Sequence, residues 1–384
     1  MPEQTANVAR GPFFFENWKA ALQNQEILGC YECPLYSDAW MVGEEELGPY
    51  WFMNTVAQTI RADRDLLAPV FVLRVHVHTQ LDEPPMDKKD TSTYHGGWFS
   101  DEVAALAALA MGARVQAGPV TREFKEGDAR GRPVAYCGYG APILLCGERG
   151  RALPWAVGSH SLEDLGWLNW FETDPRDQVA LVRPARLYQD AIWIADAEPA
   201  MAWLLLVSAI ETAADRWDQS QSSAIDRLRY SKPDLVKSIE ERCPDLLLIV
   251  ADQIADTIGA TRKFIAFTLR FLPPEPPLRP EKWLQVVWEE ADLKRSLRKI
   301  YGYRSKALHT GVPFPAPMCQ PPRPFGPTAP TERPVGLATR TLGAVWLRED
   351  MPMSLHIFEY IARKALQSWW SSLRPVDTGS PSRG

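Results

Sequence analysis

Hydrophobic and polar positions repeat with two different periods along the chain, and the change falls near residue 180. In the run 69–80, PVFVLRVHVHTQ, Phe71, Leu73, Val75 and Val77 alternate with Arg74, His76 and His78. A period of two predicts a strand with one apolar and one polar face. The run 27–36, ILGCYECPLY, reads as another strand. Residues 100–112, SDEVAALAALAMG, read as a short helix. Ser100 is its expected N-cap, Asp101 and Glu102 favour the first turn, and Gly112 is the stop. Strand-like pieces follow, RVQAG, VTREF, PVAYC and PILLC, separated by Gly and Pro turns. Residues 1–180 are therefore expected to form a mixed α+β domain.

From about residue 183 the period becomes helical. Expected helices cover 185–197, 198–217 with Pro199 at the first position, 220–230, 233–241, 244–258 ending before Gly259, and 261–271. PPEPPLRP (273–280) reads as a stiff linker. A helix over 281–308 follows, and a last one over 353–373 carries Phe358, Ile361, Ala365, Leu366 and Trp369 on one face. Helices with one apolar stripe each, joined by short connections, predict an all-α bundle over 183–375. The segment 311–337, GVPFPAPMCQPPRPFGPTAPTERPVGL, interrupts this order, and residues after Pro375 read as a disordered tail.

Composition narrows the classes. A chain of 384 residues is long enough for two domains. A net charge of −6 argues against a broad basic surface for duplex nucleic acid. No apolar run reaches bilayer-spanning length, and residues 1–18 lack the apolar core of a signal peptide. The six cysteines are scattered, so a reduced, cytoplasmic protein without membrane association is expected.

The chemistry concentrates in 290–311, EADLKRSLRKIYGYRSKALHTG. Between Lys294 and His309 there are six Lys or Arg residues and no acid. Leu293, Leu297, Ile300, Tyr301 and Leu308 recur at helical spacing, and Arg304 lies four residues past Ile300 on that stripe. An arginine turned toward the packed side needs an anionic partner or ligand. His309 follows with four residues between, then Gly311 and Pro313 stop the helix. This arrangement, with the phrase RSKALHTG, resembles the motif of HEPN domains, in which an Arg is followed by His after four to six residues. Those all-helical modules occur in many prokaryotic ribonucleases, and the resemblance covers roughly the C-terminal half.

The resemblance implies a metal-independent endoribonuclease, with a role in phage defence or a toxin-like stress system, acting on RNA as a homodimer. Arg304 and His309 would carry cleavage by a 2′-hydroxyl. In an unbroken helix, residues five apart point about 140° from one another. One copy closes around a phosphate only if the helix ends before His309, or if a second copy completes the site. Glu211, on the stripe Leu204, Val207, Ser208, Glu211, is the candidate to orient Arg304 or His309. Tyr303, Ser305 and Lys306 are candidate substrate contacts. The family commonly has Asn or Asp after the Arg where this chain has Ser305. No cofactor and no metal are expected, and residues 1–180 would be a sensor or regulator. The rival reading is a non-catalytic HEPN-like module for dimerisation or for nucleotide or RNA binding.

Other features have plainer readings. His76 and His78 share a strand face but lack nameable further ligands, and Cys30 and Cys33 form a single CxxC that Cys137 and Cys146 do not complete. TSTYHGGWFSDE (91–102) precedes a helix N-terminus, which suits either an anion or a tight turn. The proline-rich segment leaves two residues after His309, and is read as a lid or wall over the site in preference to a surface arm.

Overall fold

The structure is a computed structural model, and it describes residues 10–55, 67, 69–79, 89–134, 141–145, 150–221, 223–254, 259–324, 329–335 and 343–375. The alternating run forms β5 (Pro69–Val77). It sits among β1 (Gly29–Tyr36), β2 (Trp40–Val42), β3 (Glu45–Leu47), β4 (Tyr50–Asn54), β6 (Gln116–Ala117), β7 (Arg122–Phe124), β8 (Arg132–Pro133) and β9 (Ser159–Ser161). The main sheet has the order β3-β4-β5-β1-β7-β8, with β6 also paired to β1, and β2 pairs separately with β9. All pairings in the main sheet are antiparallel, whereas β2 and β9 run parallel. Register puts Leu73 between Cys33 and Phe52, so one face of three strands is apolar. Helix α1 (Phe13–Leu22) and helix α2 (Phe99–Met111) belong to the same core. Phe14 stacks on Tyr50 at 4.5 Å, and the Tyr50 hydroxyl donates to the Phe14 carbonyl.

Helix α2 stops at Gly112, whose φ of 74° is the left-handed geometry a side chain resists. Its start differs from expectation. Trp98 is the N-cap, its N–H is taken by the Asp101 carboxylate at 2.8 Å, and Ser100 lies inside the first turn. The acid three residues past the cap decides the boundary more strongly than the serine does.

The helical region comprises α3 (Pro175–Ile194), α4 (Pro199–Gln221), α5 (Ala224–Ser231), α6 (Pro233–Arg242), α7 (Leu246–Ile254), α8 (Ala260–Arg270), α9 (Glu290–Thr310) and α10 (Leu355–Ser372). About 50% helix and 12% strand among the described residues, with the sheet N-terminal, make the fold mixed α+β. Helix α3 begins ten residues before the expected start at 185, capped by Asp174, and continues through Pro184. Helix α9 begins later than the expected 281. Residues 281–289 hold only a 3-10 turn at Lys282–Leu284, because the Val286 N–H is captured by the Glu332 carboxylate at 2.6 Å. Arg279 grips the same carboxylate through two contacts of 2.7 Å.

One cluster of buried side chains runs from the sheet through α2, α3 and α4 to α8, α9 and α10, with Leu73, Leu106, Ile192, Trp203, Phe264, Leu297 and Trp369 among its members. Trp203 is stacked between Phe314 at 5.4 Å and Phe358 at 4.9 Å. Gln367 of α10 donates to the Leu109 and Ala110 carbonyls of α2. Helices α5 to α7 carry a small cluster of their own around Leu228, Val236 and Ala251.

The described parts of the proline-rich segment are built into this core. Phe314, Met318, Thr331 and Glu332 are buried, and Trp203 donates its indole N–H to the Met318 carbonyl. They form a fixed wall behind α4 and α9, not a detached arm. Residues 325–328 and 336–337 of that segment, 135–140 and 146 of the expected strands, 255–258, and the tail after Pro375 lie outside the described residues. Among the described residues no helix is long and apolar enough to cross a membrane.

Candidate functional site

Helix α9 carries the site residues, and its stripe determines which of them face the protein. Leu293, Leu297, Ile300 and Tyr301 are buried. Arg304 continues the stripe and meets α4, where its Nη2 lies 2.7 Å from Glu211 Oε2. The other Glu211 oxygen accepts the Tyr301 hydroxyl at 2.8 Å. The Arg304 guanidinium also lies over the Tyr301 ring, 5.7 Å from its centroid. Glu211 therefore holds two residues of α9 at once and fixes the rotamer of each. The buried Nε of Arg304 has no hydrogen-bond partner.

Burial raises the Glu211 carboxyl above its ordinary value, opposed by the Tyr301 hydrogen bond and the charge of Arg304. The Tyr301 hydroxyl is pushed up to about 12, first by burial and then by its contact with Glu211. Tyrosine as the donor to this carboxylate thus stays protonated at neutral pH.

The pair belongs to a longer row. Glu211, Asp215 and Asp218 stand at helical spacing on α4, where Lys263 of α8 reaches Asp215 at 2.9 Å and Arg262 reaches Asp218 at 2.9 Å. Arg227 of α5 lies 3.9 Å from Asp218. The sequence reading found Glu211 but neither this row nor the Tyr301 contact. Their signal was present as an acid every three or four residues on α4 and a tyrosine one turn before Arg304.

His309 stands elsewhere. Helix α9 does not end before it but runs on to Thr310, whose hydroxyl donates to the Lys306 carbonyl, and stops at Gly311 with φ 67°. With the helix unbroken, His309 points about 140° away from Arg304. Its side chain is exposed and has no hydrogen bond or ion pair with a described residue. A single chain therefore brings Glu211, Tyr301 and Arg304 together and leaves His309 outside that cluster.

Of the expected substrate contacts, Lys306 is exposed and Ser305 half-buried. Tyr303 is turned inward. Its hydroxyl donates to the Asp350 carbonyl at 2.7 Å and its ring meets Phe314 edge-on at 6.1 Å. Its hydroxyl is spent within the fold. The 91–102 phrase forms a pinned turn: Arg183 donates to the Thr91, Ser92 and Tyr94 carbonyls, and His95 faces Glu102 at 3.4 Å. Asp101 and Glu102 already supply the helix start with negative charge, which favours the turn over an anion site.

The His76 ring packs edge-on against Trp51, and His78 Nδ1 lies 2.7 Å from the Gln25 carbonyl. Burial drives the Cys33 thiol up to about 12, which suits a packed thiol. Cys137 and Cys146 lie outside the described residues. Among the described residues no group of three or more His, Cys, Asp or Glu is placed to hold a metal ion.

Comparison with protein-family models, with curated proteins and with solved structures gave no match to this chain, so the reading of the site rests on its own residues.

Proposed function

We propose that this chain is a metal-independent endoribonuclease of HEPN type, working as a homodimer through its helical region in phage defence or a toxin-like stress system. The observation that carries the proposal is the division of α9. Arg304 is locked against Glu211 with its Nε unpartnered, while His309 stands free on the opposite side of the same unbroken helix.

Cleavage by a 2′-hydroxyl needs a base for that hydroxyl, an acid for the departing 5′-oxygen and a cation for the charge on phosphorus. One chain offers one histidine. Two copies facing each other offer two, so that one His309 takes the 2′-hydroxyl proton and the partner subunit's His309 gives a proton to the 5′-oxygen. The 2′-oxygen bonds to phosphorus as the bond to the 5′-oxygen breaks, leaving a 2′,3′-cyclic phosphate and a 5′-hydroxyl. Arg304, held by Glu211, neutralises the phosphoryl oxygens, and Lys306 and Ser305 contact the substrate.

A second reading has an observation in its favour. Arg304 is one rung of the row in which α4 acids meet cations of α5, α8 and α9, and such a row needs no substrate to explain it. It suits a non-catalytic HEPN-like module. Purified protein incubated with RNA in excess chelator separates the two. The proposal expects cyclic-phosphate products from RNA, no cutting of DNA, and a loss of about 10²–10⁴-fold for His309→Ala. A folded His309→Ala protein that cuts RNA at the wild-type rate overturns it.

A further inference from the structure

The outer face of α9 carries cations that the fold does not use. Lys294, Arg298 and Lys306 are exposed, and none has an ion pair or hydrogen bond from its side chain to a described residue. Their neighbours differ: Arg295 pairs with Asp292 and Lys299 with Asp350. At 100° per residue, Lys294, Arg298, Gly302, Lys306 and His309 fall within about 120° of arc centred opposite Ile300. The row spans about 22 Å along the axis, with Lys294 and Arg298 about 6 Å apart. Gly302 sits midway, and a Cβ built there meets nothing within 4 Å. Glycine inside a helix is less favourable than Ala. Here it leaves bare backbone between Arg298 and Lys306, where a ligand strand can lie close to the helix.

In a chain of net charge −6, unpaired cations collected on one helix face are not accounted for by overall composition. The α4 row shows the contrast: there each cation has its acid. The chemistry that fits the outer face is a flexible chain of regularly spaced anions, narrow enough to follow one helix. We infer that the outer face of α9 is a track for the phosphate backbone of single-stranded RNA, with Lys294 and Arg298 holding nucleotides away from the reacting bond, Gly302 giving clearance, and Lys306 and His309 at the end where the bond is cut. The inference rests on the ribonuclease reading for its choice of RNA. It adds Lys294, Arg298 and Gly302 and a direction: the strand runs along α9 toward its C-terminal end.

The test measures binding apart from cleavage. Fluorescence anisotropy uses the full chain and a labelled single-stranded RNA carrying 2′-O-methyl groups, which removes the attacking hydroxyl. Lys294→Glu and Arg298→Glu are exposed and unpaired, so the fold has nothing to lose, and circular dichroism checks this. Lys125→Glu, an exposed cation on the β7–β8 turn, is the control. Removing one phosphate contact by Arg298→Ala lowers the slope of log affinity against log salt by about 0.7. Each charge reversal is expected to weaken binding at least tenfold at low salt, and Lys125→Glu to leave it unchanged. Gly302→Glu, which places a carboxylate in the track, is expected to weaken binding as strongly.

Wild-type affinity in both Lys294→Glu and Arg298→Glu overturns the track, and if the same proteins still cut unmodified RNA in chelator the ribonuclease reading survives. Binding that depends on the track without cleavage sinks the ribonuclease reading and keeps the track. A preference for duplex DNA or an acidic protein over single-stranded RNA also overturns the inference.

Discussion

Replacing Glu211 and Arg304 singly and together tests how the α4–α9 contact is held. The contact is 2.7 Å, with side chains 15% and 21% exposed. Two unit charges about 4 Å apart attract by about 4 kcal/mol at an effective dielectric of 20. Desolvation of both groups offsets much of this and leaves a coupling of about 2 kcal/mol. Glu211→Gln and Arg304→Met are each expected to cost about 2–4 kcal/mol, because each strands a half-buried charge. The double variant should cost about 2 kcal/mol less than the sum of the two. Urea unfolding followed by circular dichroism reads these values, provided that the slope with denaturant stays constant. A coupling below about 0.5 kcal/mol refutes the claim that Glu211 fixes Arg304. Cleavage is read on the same proteins. Glu211 acts through Arg304, so Glu211→Gln should lower kcat and leave affinity for the 2′-O-methyl RNA in place, and Glu211→Asp should restore part of the rate. Equal losses in kcat and in affinity would make Glu211 a support of the fold alone.

Two further outcomes follow from buried groups away from the site. His356 is 1% exposed, has no partner at either ring nitrogen, meets Trp155 edge-on, and burial drives its pKa down to about 3. Between that value and the usual 6.5 the unfolded chain binds a proton that the folded chain refuses, so stability falls as pH drops through this window. Going from pH 7 to pH 5 should cost about 2 kcal/mol through this residue. In His356→Leu that component of the pH dependence should vanish, and an unchanged slope between the two variants contradicts the assignment. Arg114 is fully buried and donates to Asp38 at 2.9 Å, to Asp196 at 2.8 Å and to the Ile192 carbonyl at 2.7 Å. Arg114→Met should lower unfolding stability by about 3–5 kcal/mol, because the exposed Arg151 is then, among the described residues, the one cation near two buried carboxylates, with the Ala152 N–H still bound to Asp196; a loss below 1 kcal/mol would contradict this.

The strongly periodic elements were legible because period reports which face is buried. The β5 alternation, the α10 stripe and the inward turn of Arg304 four residues past Ile300 can be read from spacing alone. Boundaries depended on interactions that spacing does not encode. Residues 281–289 look helical, but the carboxylate that takes the Val286 N–H comes from Glu332, 46 positions later. Pro184 signals an end, yet α3 runs through it with Val182 and Ala185 buried on either side. Strands β2, β3 and β9 are three residues each, too short to establish alternation. At the site, the sequence pointed to Glu211 because it interrupts a core stripe. The exposure of His309 was not legible, since it depends on the helix reaching Thr310 and on what surrounds that end.

The bonds from Gln367 to Leu109 and Ala110 join positions 258 and 257 residues apart. Closing a loop of that length costs about 5 kcal/mol of chain entropy before any contact repays it. High contact order of this kind slows folding and makes assembly a late event. While the chain is being synthesised, Trp203 and Phe264 lack Phe358, the residue of α10 against which both pack. A nascent chain that has not reached residue 372 therefore leaves that apolar surface uncovered, which is the condition that favours aggregation. A product truncated before α10 would not be a smaller working version of the α4–α9 pair but an incomplete core. Whatever chemistry that pair performs is withheld until synthesis has passed α10.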